Sequence, residues 1–167
     1  VRDKDAVSAC AVLAEIAAWA KDQGMSMYQL LQKIYVEYGF SKEKGISVVK
    51  KGKSGAEEIE AMMKHFRENP LKEIAGSKVT YFYDYSTLKG IDYLENETLT
   101  LDMPVTSNVL QFFTEDGTKV SIRPSGTEPK IKFYCEVHSK VNSVEELDAA
   151  DKAATEKIEA IKASLGI

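Results

Sequence analysis

Arg123, Ser125, Gly126, Thr127 and Lys132 stand within a single stretch, Arg-Pro-Ser-Gly-Thr-Glu-Pro-Lys-Ile-Lys from Arg123 to Lys132. Their types are those of an anion site. An arginine fork matches two phosphate oxygens. Serine and threonine add hydroxyl donors, and successive backbone N–H groups around a glycine can form a concave nest. Pro124 and Pro129 fix their own φ and push Arg123 and Glu128 toward extended conformations. Gly126 is free to take positive φ. The stretch therefore reads as a stiff loop able to hold a phosphate monoester, which carries roughly −1.5 to −2 charge near neutral pH. A tight surface turn with solvated cations has the same composition and stands as the simpler alternative.

The flanking residues show how such a loop is held. Val109–Phe113 reads as a strand, Asp116-Gly117 as a hairpin turn, and Lys119–Ile122 as the returning strand that delivers Arg123. After the loop, Ile131, Phe133, Cys135 and Val137 alternate with Lys130, Lys132, Tyr134 and Glu136. Both lysines thus fall on one strand face beside the loop. His138 has no evident partner and is assigned no chemistry. Ser143-x-x-Glu146 is a capping-box pattern for a final helix reaching Leu165.

Upstream, helical spacing of Val7, Val12, Leu13, Ile16 and Trp19 predicts a helix over 5–21, stopped near Gly24. Ser26-x-x-Gln29 opens a second helix with Leu30, Leu31, Ile34 and Tyr35 inward, ended by Gly39. Ser41–Lys44 reads as a polar linker and Gly45–Val49 as a strand. The Lys50-Lys51-Gly52-Lys53 run reads as a solvated turn. Ser54-x-x-Glu57 then caps a helix carrying Ile59, Met62, Met63 and Phe66, with His65 solvated and Pro70 ending it. Val79–Tyr85 is a strand, and Lys89–Thr106 reads as a variable loop with short extended pieces. The second part is expected to be β-α-β-β-β-α. That pattern implies an α+β fold, an antiparallel sheet with helices on one face, preceded by a helical hairpin.

Composition bounds the function. The chain has 167 residues, 44% hydrophobic and 29% charged, with net charge −4. An acidic balance with dispersed lysines argues against nucleic-acid binding, including stacking of bases on Tyr81, Phe82, Tyr83 and Tyr85. No apolar run reaches the roughly 18 residues of a membrane span, and the first residues lack signal-peptide regions. Cys10 and Cys135 read as buried free thiols of a reducing compartment, and no zinc ligand set is present. A helical pattern that starts almost at Val1, without an initiator methionine, leads to the expectation that the chain is an excerpt of a longer protein.

Arg123-Pro124-Ser125-Gly126-Thr127-Glu128-Pro129 resembles the C-terminal phosphate-binding loop of the α-D-phosphohexomutases, the phosphoglucomutase and phosphomannomutase family. Ser107-Asn108-Val109-Leu110-Gln111-Phe112, Thr114-Glu115-Asp116-Gly117-Thr118 and Val1-Arg2-Asp3-Lys4-Asp5 are similar to bacterial members. The resemblance implies four domains in the parent. Residues 1–40 would be the C-terminal helices of the third domain, and 41–167 the fourth, phosphate-binding domain with its TATA-binding-protein-like α+β sheet. It implies an intramolecular phosphotransferase of the isomerase class, cytoplasmic, interconverting hexose 1-phosphate and hexose 6-phosphate through a phosphoserine and a hexose bisphosphate. Arg123, Ser125, Gly126 and Thr127 would clamp the phosphate not being transferred. Lys132 would stand where many members carry arginine, and Lys4 near the transferred phosphate.

The serine loop, the Asp-x-Asp-x-Asp loop that holds magnesium and the Glu-x-Ser sugar loop of the family do not occur in this sequence. By resemblance, this stretch has no catalytic residue, binds no metal or cofactor of its own, and is inactive alone. Its partners would be hexose phosphate, hexose bisphosphate and the remaining domains of the same chain, with no nucleic acid or membrane. A phosphoglucosamine or phosphopentose mutase, or a stand-alone phosphate-binding module, is the alternative.

Overall fold

The computed structural model describes residues 4–50 and 52–167. Val1, Arg2, Asp3 and Lys51, which figure in the expectations above, lie outside the described residues. The chain divides into two compact units.

The first unit contains two helices and the segment Ser139–Ala150. Helix α1 spans Ala6–Asp22. The Asp5 carboxylate caps it, accepting from the Ser8 backbone N–H at 3.0 Å, which satisfies one of the orphan donors of the first turn. Helix α2 spans Met27–Tyr38 and begins with the expected capping box. The Gln29 backbone N–H donates to Ser26 Oγ at 3.2 Å, and the Ser26 N–H to Gln29 Oε1 at 2.8 Å. Gly39, at φ 101, ends it. The helical periods are as expected, but their apolar faces point outward: Val7, Val12, Leu13, Trp19 and Leu31 are exposed. Cys10 is exposed too, not buried, because it lies on the same outward-facing helix.

The second unit is an α+β layer structure. Strand β1 spans Phe40–Val49, helix α3 Gly52–Glu68, β2 Glu73–Ile74, β3 Ser77–Asp84, β4 Lys89–Asp92, β5 Glu97–Thr100, β6 Leu110–Thr114, β7 Lys119–Pro124, β8 Lys130–Ser139 and helix α4 Leu147–Leu165. The strand order is β1-β8-β7-β6-β3-β4-β5, with β2 on β3. Successive pairs from β8 to β5 are antiparallel.

Alternation sets the core. Leu110, Phe112, Val120, Ile122, Ile131, Phe133 and Cys135 are buried on one sheet face, while their strand neighbours remain partly exposed. Onto the buried face come Ile59, Met63 and Phe66 of α3 and Ala154, Ile158, Ile161 and Leu165 of α4. Both sets recur at three- and four-residue spacing, so each helix turns one stripe inward. Phe66 meets Phe133 edge-to-face at 6.2 Å between ring centroids. Burying each such aromatic contributes about 2–3 kcal/mol. The Cys135 thiol is pushed up to about 11 by burial, which keeps it protonated and unreactive.

Several expected boundaries differ. Ser41–Lys44 is not a linker but part of β1, an edge strand whose exposed positions need no apolar residues. Helix α3 starts at Gly52, so the lysine run is not a turn throughout and Ser54 is inside the helix rather than its cap. Lys89–Thr106 contains the β4–β5 hairpin. Its turn is tied by the Asp92 carboxylate, which accepts from the Leu94 N–H at 2.8 Å and the Glu95 N–H at 3.2 Å. Among the described residues seven strands therefore follow α3, more than the expected β-α-β-β-β-α pattern holds. Ser143 makes no side-chain cap; instead Glu146 accepts from the Asn142 N–H at 2.8 Å.

The β6–β7 turn is held by charge. Asp116 accepts hydrogen bonds from the Thr114 and Thr118 hydroxyls at 2.7 and 2.8 Å and pairs with Lys157 of α4. Partial burial alone would raise its pKa, but these bonds outweigh burial and hold the carboxyl well below the usual range. A depressed carboxyl contributes stability above its unfolded pKa of about 3.9. That stability is lost as pH falls through the folded value. Asp116→Asn is expected to cost about 1–2 kcal/mol at neutral pH and to make the acid loss of stability shallower below about pH 4. Urea denaturation across pH 2–7 checks this; an unchanged acid slope would contradict it.

Candidate phosphate site

Strands β7 and β8 position the predicted residues. Their register sets Arg123 directly opposite Lys132, with Ser121 opposite Tyr134 and Lys119 opposite Glu136 in the rows behind. All six lie on the sheet face away from the buried core. Arg123 is exposed and Lys132 half-buried. Neither side chain makes an ion pair with a described residue. Two like charges directly opposite each other in an antiparallel pair are destabilising, so this row is a cationic spot.

The loop between the strands is closed by backbone bonds. The Ser125 N–H donates to the Lys130 carbonyl at 2.8 Å, and the Lys130 N–H to the Glu128 carbonyl at 2.7 Å. The Thr127 N–H reaches Ser125 Oγ at 3.4 Å. Gly126 does not use the positive φ open to it; these bonds close the turn without it. A Cβ at Gly126 would meet nothing within 4 Å, so the backbone there is open to a ligand. Lys130 pairs with Glu128. That bond, with a weaker field from Lys132, lowers the Glu128 pKa. Lys130 is therefore committed, whereas Arg123 and Lys132 make no ion pair with a described residue.

The structure divides the predicted set between two faces of one loop. Ser125, Gly126 and Thr127 line a groove of about 760 Å³ that also touches Lys64, Arg67 and Asn108. Arg123 and Lys132 occupy the open face of the sheet. Lys4 belongs to the other unit and stands exposed just ahead of α1. Arg67 was not legible as a contributor. Its Nε donates to Asp84 Oδ2 at 3.0 Å and its Nη2 to Asn108 Oδ1 at 2.9 Å. Asp84 is buried. Burial raises its pKa, but bonds from Ser86, Arg67 and Thr87 outweigh it and the carboxyl is held low. This joint ties α3 to the end of β3 and to the approach of β6. A single arginine late in a helix carries no sequence signal for that role.

His138, expected to lack a partner, lies 2.7 Å from Glu136 Oε1. The two are on the same strand two residues apart, hence on one face. Glu136 also pairs with Lys119. Among the described residues no group of three or more His, Cys, Asp or Glu side chains is arranged to hold a metal ion. No helix of the described residues is long and apolar enough to cross a membrane.

Residues 46–153 match the model of the phosphoglucomutase/phosphomannomutase C-terminal domain. The chain is 36% identical over 134 residues to a phosphoglucomutase of Staphylococcus haemolyticus and 38% identical over 134 residues to one of Staphylococcus aureus. Each alignment covers 80% of this chain and 24% of the relative. The chain thus spans about a quarter of the length of these curated relatives. Among solved structures, the open form of the exocytosis-sensitive phosphoprotein pp63/parafusin (phosphoglucomutase) from Paramecium aligns over 96% of this chain and 28% of its own, with 17% identity and a TM-score of 0.46.

Lys132→Glu would turn the like-charge pair into an opposite-charge pair across β7 and β8. It is expected to stabilise the unit by about 0.5–1 kcal/mol while abolishing anion binding. Thermal denaturation with and without inorganic phosphate checks both effects. A loss of stability in the phosphate-free variant would contradict the assigned geometry.

Proposed function

This chain belongs to the phosphoglucomutase/phosphomannomutase family, and on that premise we propose that it is the phosphate clamp of a hexose-phosphate mutase. The single observation that carries this reading is the cationic Arg123–Lys132 row beside the Ser125–Thr127 loop. The arginine fork matches two phosphate oxygens and Lys132 adds a point charge on the open sheet face, while the hydroxyls and open backbone of Ser125–Thr127 offer further donors on the groove side of the loop.

In this reading the parent enzyme interconverts hexose 1-phosphate and hexose 6-phosphate. The bisphosphate intermediate binds in two orientations, with either phosphate on the clamp. A site made of charge and backbone donors suits that demand, because it positions the substrate without selecting one end of the sugar. Lys132 in place of an arginine keeps the charge and gives up the fork, so Arg123 is the anchor.

Phosphoryl transfer itself belongs to other parts of the parent, a cytoplasmic enzyme whose remaining domains are the clamp's physical partners.

In the parent enzyme, Arg123→Ala is expected to raise KM for glucose 1-phosphate and mannose 1-phosphate alike. Loss of a charge-assisted pair corresponds to about 10- to 100-fold. Steady-state kinetics on both substrates tests this, and an unchanged KM would sink the assignment of Arg123.

A further inference from the structure

The loop that carries the candidate site contains an anion of its own. Glu128 and Lys130 flank Pro129, and the Lys130 N–H donates to the Glu128 carbonyl at 2.7 Å. That tight turn keeps the two side chains close, and they form an ion pair. Glu128 also lines the groove with Ser125, Gly126 and Thr127. Lys130 stands two residues before Lys132, hence on the same strand face, about 6.5 Å away at the usual rise. Lys132 is in turn directly opposite Arg123. The Glu128 carboxylate therefore sits beside a set of three cations. It pairs with one, Lys130, and lies within the field of a second, Lys132.

We propose that Lys130 is a third phosphate-binding cation and that Glu128 holds it as an internal competitor until phosphate arrives. The proposal rests on the clamp reading above. It makes the ion pair one side of an exchange: phosphate takes Lys130, and the Glu128 carboxylate is released into water.

Three observations set the direction of the exchange. First, the side chain of Glu128 is 59% exposed and that of Lys130 only 26%. The carboxylate is the partner free to swing outward, while the ammonium stays beside Lys132. Second, the pair is local and solvated on one side, and exposed pairs of this kind are weak, so little opposes their separation. Third, the incoming anion is the stronger partner. A phosphate monoester carries roughly −1.5 to −2 charge near neutral pH, more than a carboxylate, and it also engages Arg123 and Lys132, with which Glu128 forms no ion pair. A pair that only braced the loop would act in the opposite sense: loss of Glu128 would loosen the loop and weaken phosphate binding. The two roles thus differ in sign.

Calorimetric titration of the chain with inorganic phosphate tests the exchange. Glu128→Gln keeps the side-chain shape and removes its charge. It should tighten phosphate about 3- to 10-fold, through a freed ammonium and the loss of a neighbouring negative charge. In a Lys130→Gln background the same substitution should recover little of that gain, because the cation it frees is gone. Glu159→Gln, which removes the same charge from the Lys162 pair on α4, should leave phosphate affinity unchanged. Unchanged or weaker phosphate binding by Glu128→Gln would overturn the exchange while leaving the clamp intact. So would a gain that persists in full with Lys130→Gln, or an equal gain from Glu159→Gln, since either would be an effect of net charge alone. Phosphate binding that survives Arg123→Ala, or none by the unaltered chain, would overturn the clamp reading and the exchange with it.

Discussion

The candidate site depends on one constraint, that β7 and β8 set Arg123 directly opposite Lys132. A directly opposed pair of like charges costs roughly 0.2–1 kcal/mol relative to a neutral pair. The strands can carry that cost. Ile122, Ile131 and Phe133 on the reverse face are fully buried, and each such side chain contributes about 1.5–3 kcal/mol. The hydrophobic face therefore decides the register, and the polar face bears the repulsion. An anion that binds there removes the repulsion as well as adding its own contacts.

The support around that row is arranged at both ends of the central strands. At one end, Asp116 draws Thr114, Thr118 and Lys157 together and closes the β6–β7 turn. At the other, Arg67 joins α3 to Asp84 of β3 and to Asn108, two residues before β6 begins. Both carboxylates ionise more readily than usual because bonded donors outweigh their burial. The strands that carry Arg123 and Lys132 are thus tied to a helix layer through polar joints as well as through the core. Rigid support of this kind lowers the ordering penalty for any ligand that binds on those strands.

Much of this was legible in the sequence. Alternation on β8 separates Ile131, Phe133, Cys135 and Val137 from Lys130, Lys132, Tyr134 and Glu136, and the burial follows it residue by residue. The Asp116-Gly117 turn and the Ser26–Gln29 capping box were readable because their chemistry is local. What was hidden depends on tertiary context. The polar residues of β1 reflect an edge position, which no local pattern states. The β4–β5 hairpin escapes notice because its strands are four residues long, with left-handed Leu88 and Asn96 beside them. Helical periodicity in α1 identifies an apolar face but not what it faces, so the exposure of Cys10 and Trp19 could not be read from it. The loop's residue types suggest an anion site, whereas the division of those residues between a groove and the open sheet face follows from the strand register alone.

The most direct test of the central claim is to map phosphate onto the chain by amide and side-chain NMR shifts during titration with inorganic phosphate. The account predicts the largest changes at Arg123 and Lys132 and at the Ser125, Gly126 and Thr127 amides, with saturation. Changes centred on Lys64 and Arg67 of α3 instead, or shifts that spread over the surface lysines without saturating, would contradict it.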